Sequence, residues 1–229
     1  MDFAKGEVLL IDKPLKWTSF DVVNKVRNAL KKKYGKIKVG HAGTLDPLAT
    51  GLLIVCTGKF TKRVDEYQAQ EKEYTGTIRL GATTPTLDAE MEPDELFPTA
   101  HITVEMVHEA VKQFIGEIDQ MPPMYSALKV GGETAYKAAR AGREVELKSR
   151  KVTVTEFELT DVTLPEVSFR IVCSKGTYIR SLARDLGTAL ESGGYLTSLR
   201  RTRIGDFRIE DAWELQKLGE RIAEDSLQA

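Results

Sequence analysis

"GHAGTLDPLATGLLIV", residues 40–55, places one carboxylate, Asp46, between glycines 40, 43 and 51 and directly before Pro47. Glycine permits backbone angles and close approaches that a side chain forbids, and proline drives the residue before it toward an extended conformation. The acid is therefore aimed with little freedom. The run that follows, Leu52 to Cys56, is apolar at every position and reads as a strand buried on both sides. A stiff turn anchored to such a strand can hold a carboxylate rigidly beside a dry pocket, which suits a nucleophile or general base. An Asx-type turn, in which Asp46 only satisfies nearby amides, is the competing reading. A phosphate loop does not fit, because the Gly-x-x-x-x-Gly-Lys-Ser/Thr spacing is absent.

Outward from this stretch, residues 7–11 form a buried strand that Asp12-Lys13-Pro14 brings to an end. Thr18 and Asp21 make a capping box for a helix with Val22, Val23, Val26, Ala29 and Leu30 on one side and Lys25 and Lys31 to Lys33 on the other, stopped by Gly35. A short helix with Phe60, Val64 and Tyr67 follows Gly58, and residues 71–80 alternate as a strand. Thr103 caps a helix that is expected to run to Gly116. After the loop 120–132 comes a helical patch around Tyr136 to Ala141. The runs 150–160 and 166–173 form an antiparallel pair. "GTYIRSLARDLGTAL" has helical spacing, and 195–209 returns to strand. Residues 84–100 are the expected flexible insertion. Irregular alternation with antiparallel neighbours late in the chain is an α+β layout, expected as one domain over residues 1–229.

The 229 residues, 41% hydrophobic and 29% charged, match an ordinary globular protein. No stretch approaches the roughly 20 apolar residues of a membrane span, and the N-terminus lacks the apolar core of a signal peptide. A cytoplasmic protein is expected. Cys56 and Cys173 lie in apolar strands and read as small core residues of a reducing compartment. His41, His101 and His108 lack zinc spacing, so no metal is expected. The net charge is −1, but its sign is segregated. From Asn24 to Gly40 there are seven Lys or Arg and no acid; from Thr86 to Asp119 there are nine acids and one base. A basic face for a polyanion and an acidic back would follow, as would plain solvated charge.

Other candidate groups are His41, five residues before the acid, Tyr74 in a strand, and Tyr178 with Arg180 after Lys175-Gly176. Aromatic rings interleaved with cations can stack an unpaired RNA base and neutralise its phosphates. Each residue alone also fits a bland role: a half-buried tyrosine with a wet hydroxyl, or a turn histidine making one hydrogen bond.

Together, "GEVLLIDKP", "GHAGTLDPLATGLL", "KEYTGTIRLG", "PPMYSALKVGG", "VCSKGTYIRSLARDLG" and "LRRTRIG" resemble the TruB family of tRNA pseudouridine synthases over nearly the whole chain. The resemblance implies a pseudouridine synthase fold, α+β, with a mixed, mainly antiparallel sheet flanked by helices. It implies isomerisation of the uridine at position 55 in the tRNA T-loop, with Asp46 as the catalytic aspartate. It gives His41 the role of holding or replacing the flipped nucleotide, Tyr74 that of stacking on the target ring and Tyr178 that of packing against the base. Arg180 would pair with the aspartate, Lys62 would be an active-site cation, and Leu199 would line the pocket.

Physical chemistry supports those roles. A uridine must leave the stack before its glycosidic bond can be reached, so a pocket has to supply stacking and hydrogen bonds in return. Breaking C1′–N1 and joining C1′ to C5 develops positive character on the sugar carbon. A carboxylate can trap or stabilise that carbon, by attack at C1′ or along a path through a glycal. An opposite charge beside the acid would keep it ionised. The isomerisation has no redox step, so no cofactor is expected. The expected partner is the T-arm of tRNA, met by a monomer with no obligatory protein partner. Many relatives carry a further C-terminal RNA-binding module. Here Asp206 to Ala229 holds seven acids and three bases, a poor phosphate binder, so the basic helix 19–34 and segments 128–151 and 170–203 are expected to carry tRNA binding. A tRNA-folding chaperone using the same pocket without turnover, and a glycosidase-like hydrolase, are the alternatives; the hydrolase would want a second carboxylate.

Overall fold

The computed structural model describes residues 1–143 and 145–224; Glu144 and the last five residues of the expected acidic tail lie outside the described residues. In chain order the elements are β1 (Val8–Lys13), α1 (Ser19–Tyr34), β2 (Val39–Ala42), β3 (Ala49–Thr57), a 3-10 turn (Gly58–Arg63), α2 (Val64–Ala69) and β4 (Lys72–Leu80). Then come β5 (Ala82–Thr83), β6 (Glu95–Leu96), α3 (Val104–Lys112), β7 (Gly116–Gln120), β8 (Lys129–Val130), β9 (Glu133–Thr134), α4 (Ala135–Arg140), β10 (Arg150–Thr163), β11 (Glu166–Cys173) and α5 (Ile179–Ala189). The chain closes with β12 (Gly194–Ile204), β13 (Phe207–Arg208), a 3-10 turn (Ile209–Asp211), β14 (Trp213–Glu214) and α6 (Leu215–Glu224). This is the expected α+β class, a mixed and mainly antiparallel sheet flanked by helices. Among the described residues no helix is long and apolar enough to cross a membrane.

The chain forms two compact units, residues 1–74 with 199–229, and residues 75–198. In the first, β3 lies between antiparallel β1 and parallel β12, with β2 pairing antiparallel to its second half and β14 parallel to β1. Leu53 and Val55 of β3 face a core made with Val22, Val23, Val26 and Leu30 of α1 and Leu218 and Ile222 of α6. Leu52, Ile54 and Cys56 face the other way, against Tyr67 and Ile204. This is why the apolar run has no polar alternation: both faces of the strand are covered. The capping box of α1 forms as the sequence predicts, with Asp21 N–H donating to Thr18 Oγ1 at 3.0 Å and Thr18 N–H to Asp21 Oδ2 at 2.9 Å. The expected tail contains α6, whose apolar side is part of this core.

In the second unit β7, β10 and β11 pair antiparallel, and Phe114, Phe157 and Phe169 stack tilted or edge-on at centroid distances of 6.4 and 6.1 Å. Two expectations are corrected here. The helix capped by Thr103 ends at Lys112, and Gly116, at φ 100°, opens β7 instead of closing the helix. Residues 84–100 are not one exposed insertion. Thr84, Thr86 and Asp88 are buried, and Asp88 bridges to Leu196. Only residues 89–96 are exposed throughout.

Candidate active site

Asp46 lies in the connection between β2 and β3, and the first unit grips that connection at nearly every residue. Ser19, the first residue of α1, accepts the Leu45 N–H at 2.8 Å and donates its hydroxyl to the Leu45 carbonyl at 3.2 Å. Ala49 N–H donates to the Asp46 carbonyl at 3.1 Å, and Lys16 N–H to the Pro47 carbonyl at 2.8 Å. Lys16 holds that position at φ 66°, a left-handed conformation costly for a residue with a Cβ.

Two buried cations complete the grip. Lys13 is fully buried at the end of β1, and its ammonium donates to the carbonyls of Trp17 at 2.5 Å, Pro14 at 3.0 Å and Pro47 at 3.5 Å. Burial lowers its pKa to about 8, against the raising effect of the Asp46 carboxylate, while the Arg201 charge lowers it further. Arg201 is 1% exposed on β12; its Nε donates to the Leu52 carbonyl at 2.8 Å and its Nη2 to the Gly43 carbonyl at 3.0 Å. Its own backbone runs so close to Gly51 that a Cβ there would sit 2.3 Å from the Arg201 carbonyl, and Gly51 is at φ 100°. The motif glycine is required by strand packing as much as by the turn.

His41 is on β2, opposite Val55, on the same hairpin as Asp46. Its Nδ1 is buried with no hydrogen-bond partner among the described residues. Burial first, and the Arg201 charge second, hold its pKa below the ordinary value, so the ring is neutral at physiological pH. Leu199 pairs in the parallel β12–β3 register with Ala49, the first residue of β3 and the third after the acid. Tyr74 is buried on β4 in this unit, next to Glu73, whose carboxylate accepts from Thr202 at 2.7 Å. Lys62 is exposed on the 3-10 turn that follows the other end of β3 from Asp46.

Tyr178 and Arg180 belong to the second unit, at the start of α5. Gln120 locks the tyrosine's backbone: its Oε1 accepts the Tyr178 N–H at 2.8 Å and its Nε2 donates to the Tyr178 carbonyl at 3.1 Å. The Arg150 guanidinium lies 4.6 Å from the centroid of the Tyr178 ring. Arg180 is buried; Nη1 donates to the Thr86 carbonyl at 2.7 Å, Nη2 to the Tyr125 carbonyl at 2.8 Å, and Nε lies 3.8 Å from Asp88 Oδ2. The guanidinium thus ties the acidic segment and the "PPMYS" loop to α5.

Sequence reasoning missed Lys13, Ser19, Gln120, Asp88 and Arg201. Arg201 is buried on β12, but burial along that strand does not alternate, so no periodic pattern marked it. Gln120 and Asp88 carried no signal either, since both sit in segments that read as polar loop. Among the described residues no group of three or more His, Cys, Asp or Glu is placed to hold a metal ion. A cavity of about 1190 Å³ in the first unit runs between α1 and α6, lined by Trp17, Lys25, Lys32, Lys33 and Arg200, with Lys13 in its wall.

Comparison with known proteins agrees along the whole chain. A model of TruB family pseudouridylate synthase (N terminal domain) matches residues 30–179, and one of the tRNA pseudouridylate synthase B C-terminal domain matches residues 180–229. The tRNA pseudouridine synthase B of Flavobacterium johnsoniae is 58% identical over 224 residues, covering 96% of this chain and 98% of its own. That of Phocaeicola vulgatus is 56% identical over 230 residues, covering 100% of this chain and 98% of its own. Among solved structures, a chain of a Cbf5-Nop10-Gar1 complex matches with a TM-score of 0.74 at 30% identity, over 96% of this chain and 55% of its own length. This chain therefore spans about half of that one.

Proposed function

We propose, from the premise that this chain belongs to the TruB family of pseudouridylate synthases, that it isomerises the uridine at position 55 in the T-loop of tRNA. As a tRNA pseudouridine synthase it is an isomerase, converting uridine to pseudouridine in tRNA. The observation that carries the finer reading is the single carboxylate of Asp46, held on a braced turn within the matched region.

The target base leaves the stack, and the aromatic rings of Tyr74 and Tyr178 receive it, the cost of unstacking being offset by new stacking. The C1′–N1 bond breaks, and the Asp46 carboxylate takes up the developing charge on C1′. The detached base turns, C5 bonds to C1′, the C5 proton leaves and N1 gains one, so product and substrate have the same composition. Neutral His41, on the Asp46 hairpin, offers a hydrogen bond without adding charge. Arg180 keeps the acid ionised, Leu199 supplies an apolar wall, and Lys62, with the lysines of α1, meets phosphate oxygens of the T-arm. Residues 1–229 act as one catalytic body, a monomer, in the cytoplasm.

Primer-extension mapping of pseudouridine in an unmodified tRNA transcript tests this. The purified protein yields one modified position in the T-loop. Asp46→Asn lowers the rate by at least ~1000-fold while tRNA affinity stays within about threefold of wild type, as expected when a reacting group is lost and phosphate contacts remain. No product from the wild type, or full product from the variant, defeats the reading.

A further inference from the structure

Arg201 and Lys13 are both fully buried, and neither has a carboxylate within ion-pair distance among the described residues. Removing a cation from water costs several kcal/mol, and buried arginine and lysine are ordinarily paired with an acid. Here the five hydrogen bonds they make among the described residues go to backbone carbonyls, and all five acceptors lie in residues 14–17 and 43–52. The first stretch leads into α1, which grips Leu45; the second carries Asp46.

The pattern of acceptors is mechanical as well as electrostatic. Arg201 reaches Gly43, three residues before the acid, and Leu52, six residues after it, so one rigid guanidinium fixes both ends of the connection. Lys13 takes the carbonyl of Pro47, the residue after the acid. A planar fork with donors in fixed directions can span two carbonyls in this way; a lysine ammonium in the same place cannot. The connection is thereby held against the strand that positions it, and two positive charges lie beside the turn with one acid on it.

We propose that Arg201 is a positioning residue for the isomerisation: it fixes the span from Gly43 to Leu52, and its charge, with that of Lys13, keeps the Asp46 carboxylate ionised when substrate arrives. This rests on the reading that Asp46 carries the chemistry. The charged groups that act on Lys13 are Asp46, Arg201, Asp21 and Asp12, so the Asp46 carboxylate and the Arg201 guanidinium both lie close enough to be felt there.

Arg201→Met and Arg201→Lys test it with three readouts: the single-turnover rate at saturating enzyme, tRNA affinity, and the dependence of rate on pH. Arg201→Met loses about 100-fold in rate, the scale expected for a misplacement of about 1 Å. Its tRNA affinity stays within about threefold of wild type, since no phosphate contact is removed. Its acid limb moves to higher pH, because the carboxylate has lost a buried positive neighbour. Arg201→Lys restores the acid limb but stays about 10-fold slow, since charge returns without the two-point contact. A purely structural role predicts something else: rate falling only with the folded fraction seen by circular dichroism, and an acid limb unmoved in both variants. That result overturns the proposal. If Asp46→Asn keeps turnover, the Asp46 reading itself fails; if Asp46→Asn is inactive and Arg201→Met matches wild type, only the role of Arg201 falls.

Discussion

Arg180 and Arg201 are both buried, both near the start or middle of regular elements, and both donate to two backbone carbonyls. They differ in what answers the charge. In the second unit Arg180 has the buried carboxylate of Asp88 at 3.8 Å. In the first unit the hydrogen bonds of Arg201 go to backbone carbonyls, and its charge lowers the pKa of a second buried cation, Lys13. Burial alone therefore says little about what an arginine does. What answers the charge differs: a buried carboxylate for Arg180, backbone carbonyls for Arg201.

The largest effect that separates the two is on stability. Arg180→Met strands the Asp88 carboxylate and costs ~3–5 kcal/mol in urea unfolding, part of which Asp88→Asn recovers. Arg201→Met removes two hydrogen bonds to carbonyls and costs ~1–3 kcal/mol, the scale of such lost contacts. Equal penalties, with no recovery by Asp88→Asn, break the comparison.

A second measurement tests how far burial outweighs the groups that favour the Lys13 charge. In the unfolded chain it keeps its proton up to the ordinary value of 10.5, whereas in the folded protein it gives it up near 8. Between these values the unfolded state binds more protons, so the native state gains stability as pH rises. The unfolding free energy of wild type minus that of Lys13→Met therefore climbs from pH 8 toward 10.5, with a slope of up to ~1.4 kcal/mol per pH unit. A flat difference shows that the ammonium is solvated after all.

The smallest effect concerns the backbone that meets the same Pro47 carbonyl. Lys16→Gly relieves a left-handed residue and raises stability by at most ~1 kcal/mol, or about 2–4 °C in Tm for a chain of this size. A loss of stability shows that the Lys16 side chain, not its backbone, secures the turn.

Much of this was legible before any coordinates. The capping box of α1, the doubly buried β3, the β10–β11 pair and the start of α5 follow from local pattern, because periodicity and cap chemistry act within a few residues. The placement of Asp46 in a constrained turn was equally plain from its glycines and proline. Illegible were contacts that join distant segments through polar side chains: Ser19 to Leu45, Gln120 to Tyr178, Arg180 to Thr86 and Tyr125. Hydrogen bonds to backbone carbonyls demand no particular acceptor residue, so they leave no mark in the acceptor's sequence. The end of α3 was misread for a related reason. Gly116 is a natural helix stop, yet pairing with β10 claims it for a strand, and tertiary pairing outweighs a weak local preference.

The sequence by itself determined the α+β class, the core stripes and an aimed carboxylate at residue 46, since each depends on neighbours within a turn or a strand. Only the tertiary structure decided that Lys13 and Arg201, from strands nearly 190 residues apart in numbering, converge on that turn and bond to its carbonyls. Charge balance in a buried space is a sum over everything that packs there, and no local stretch of chain contains that sum.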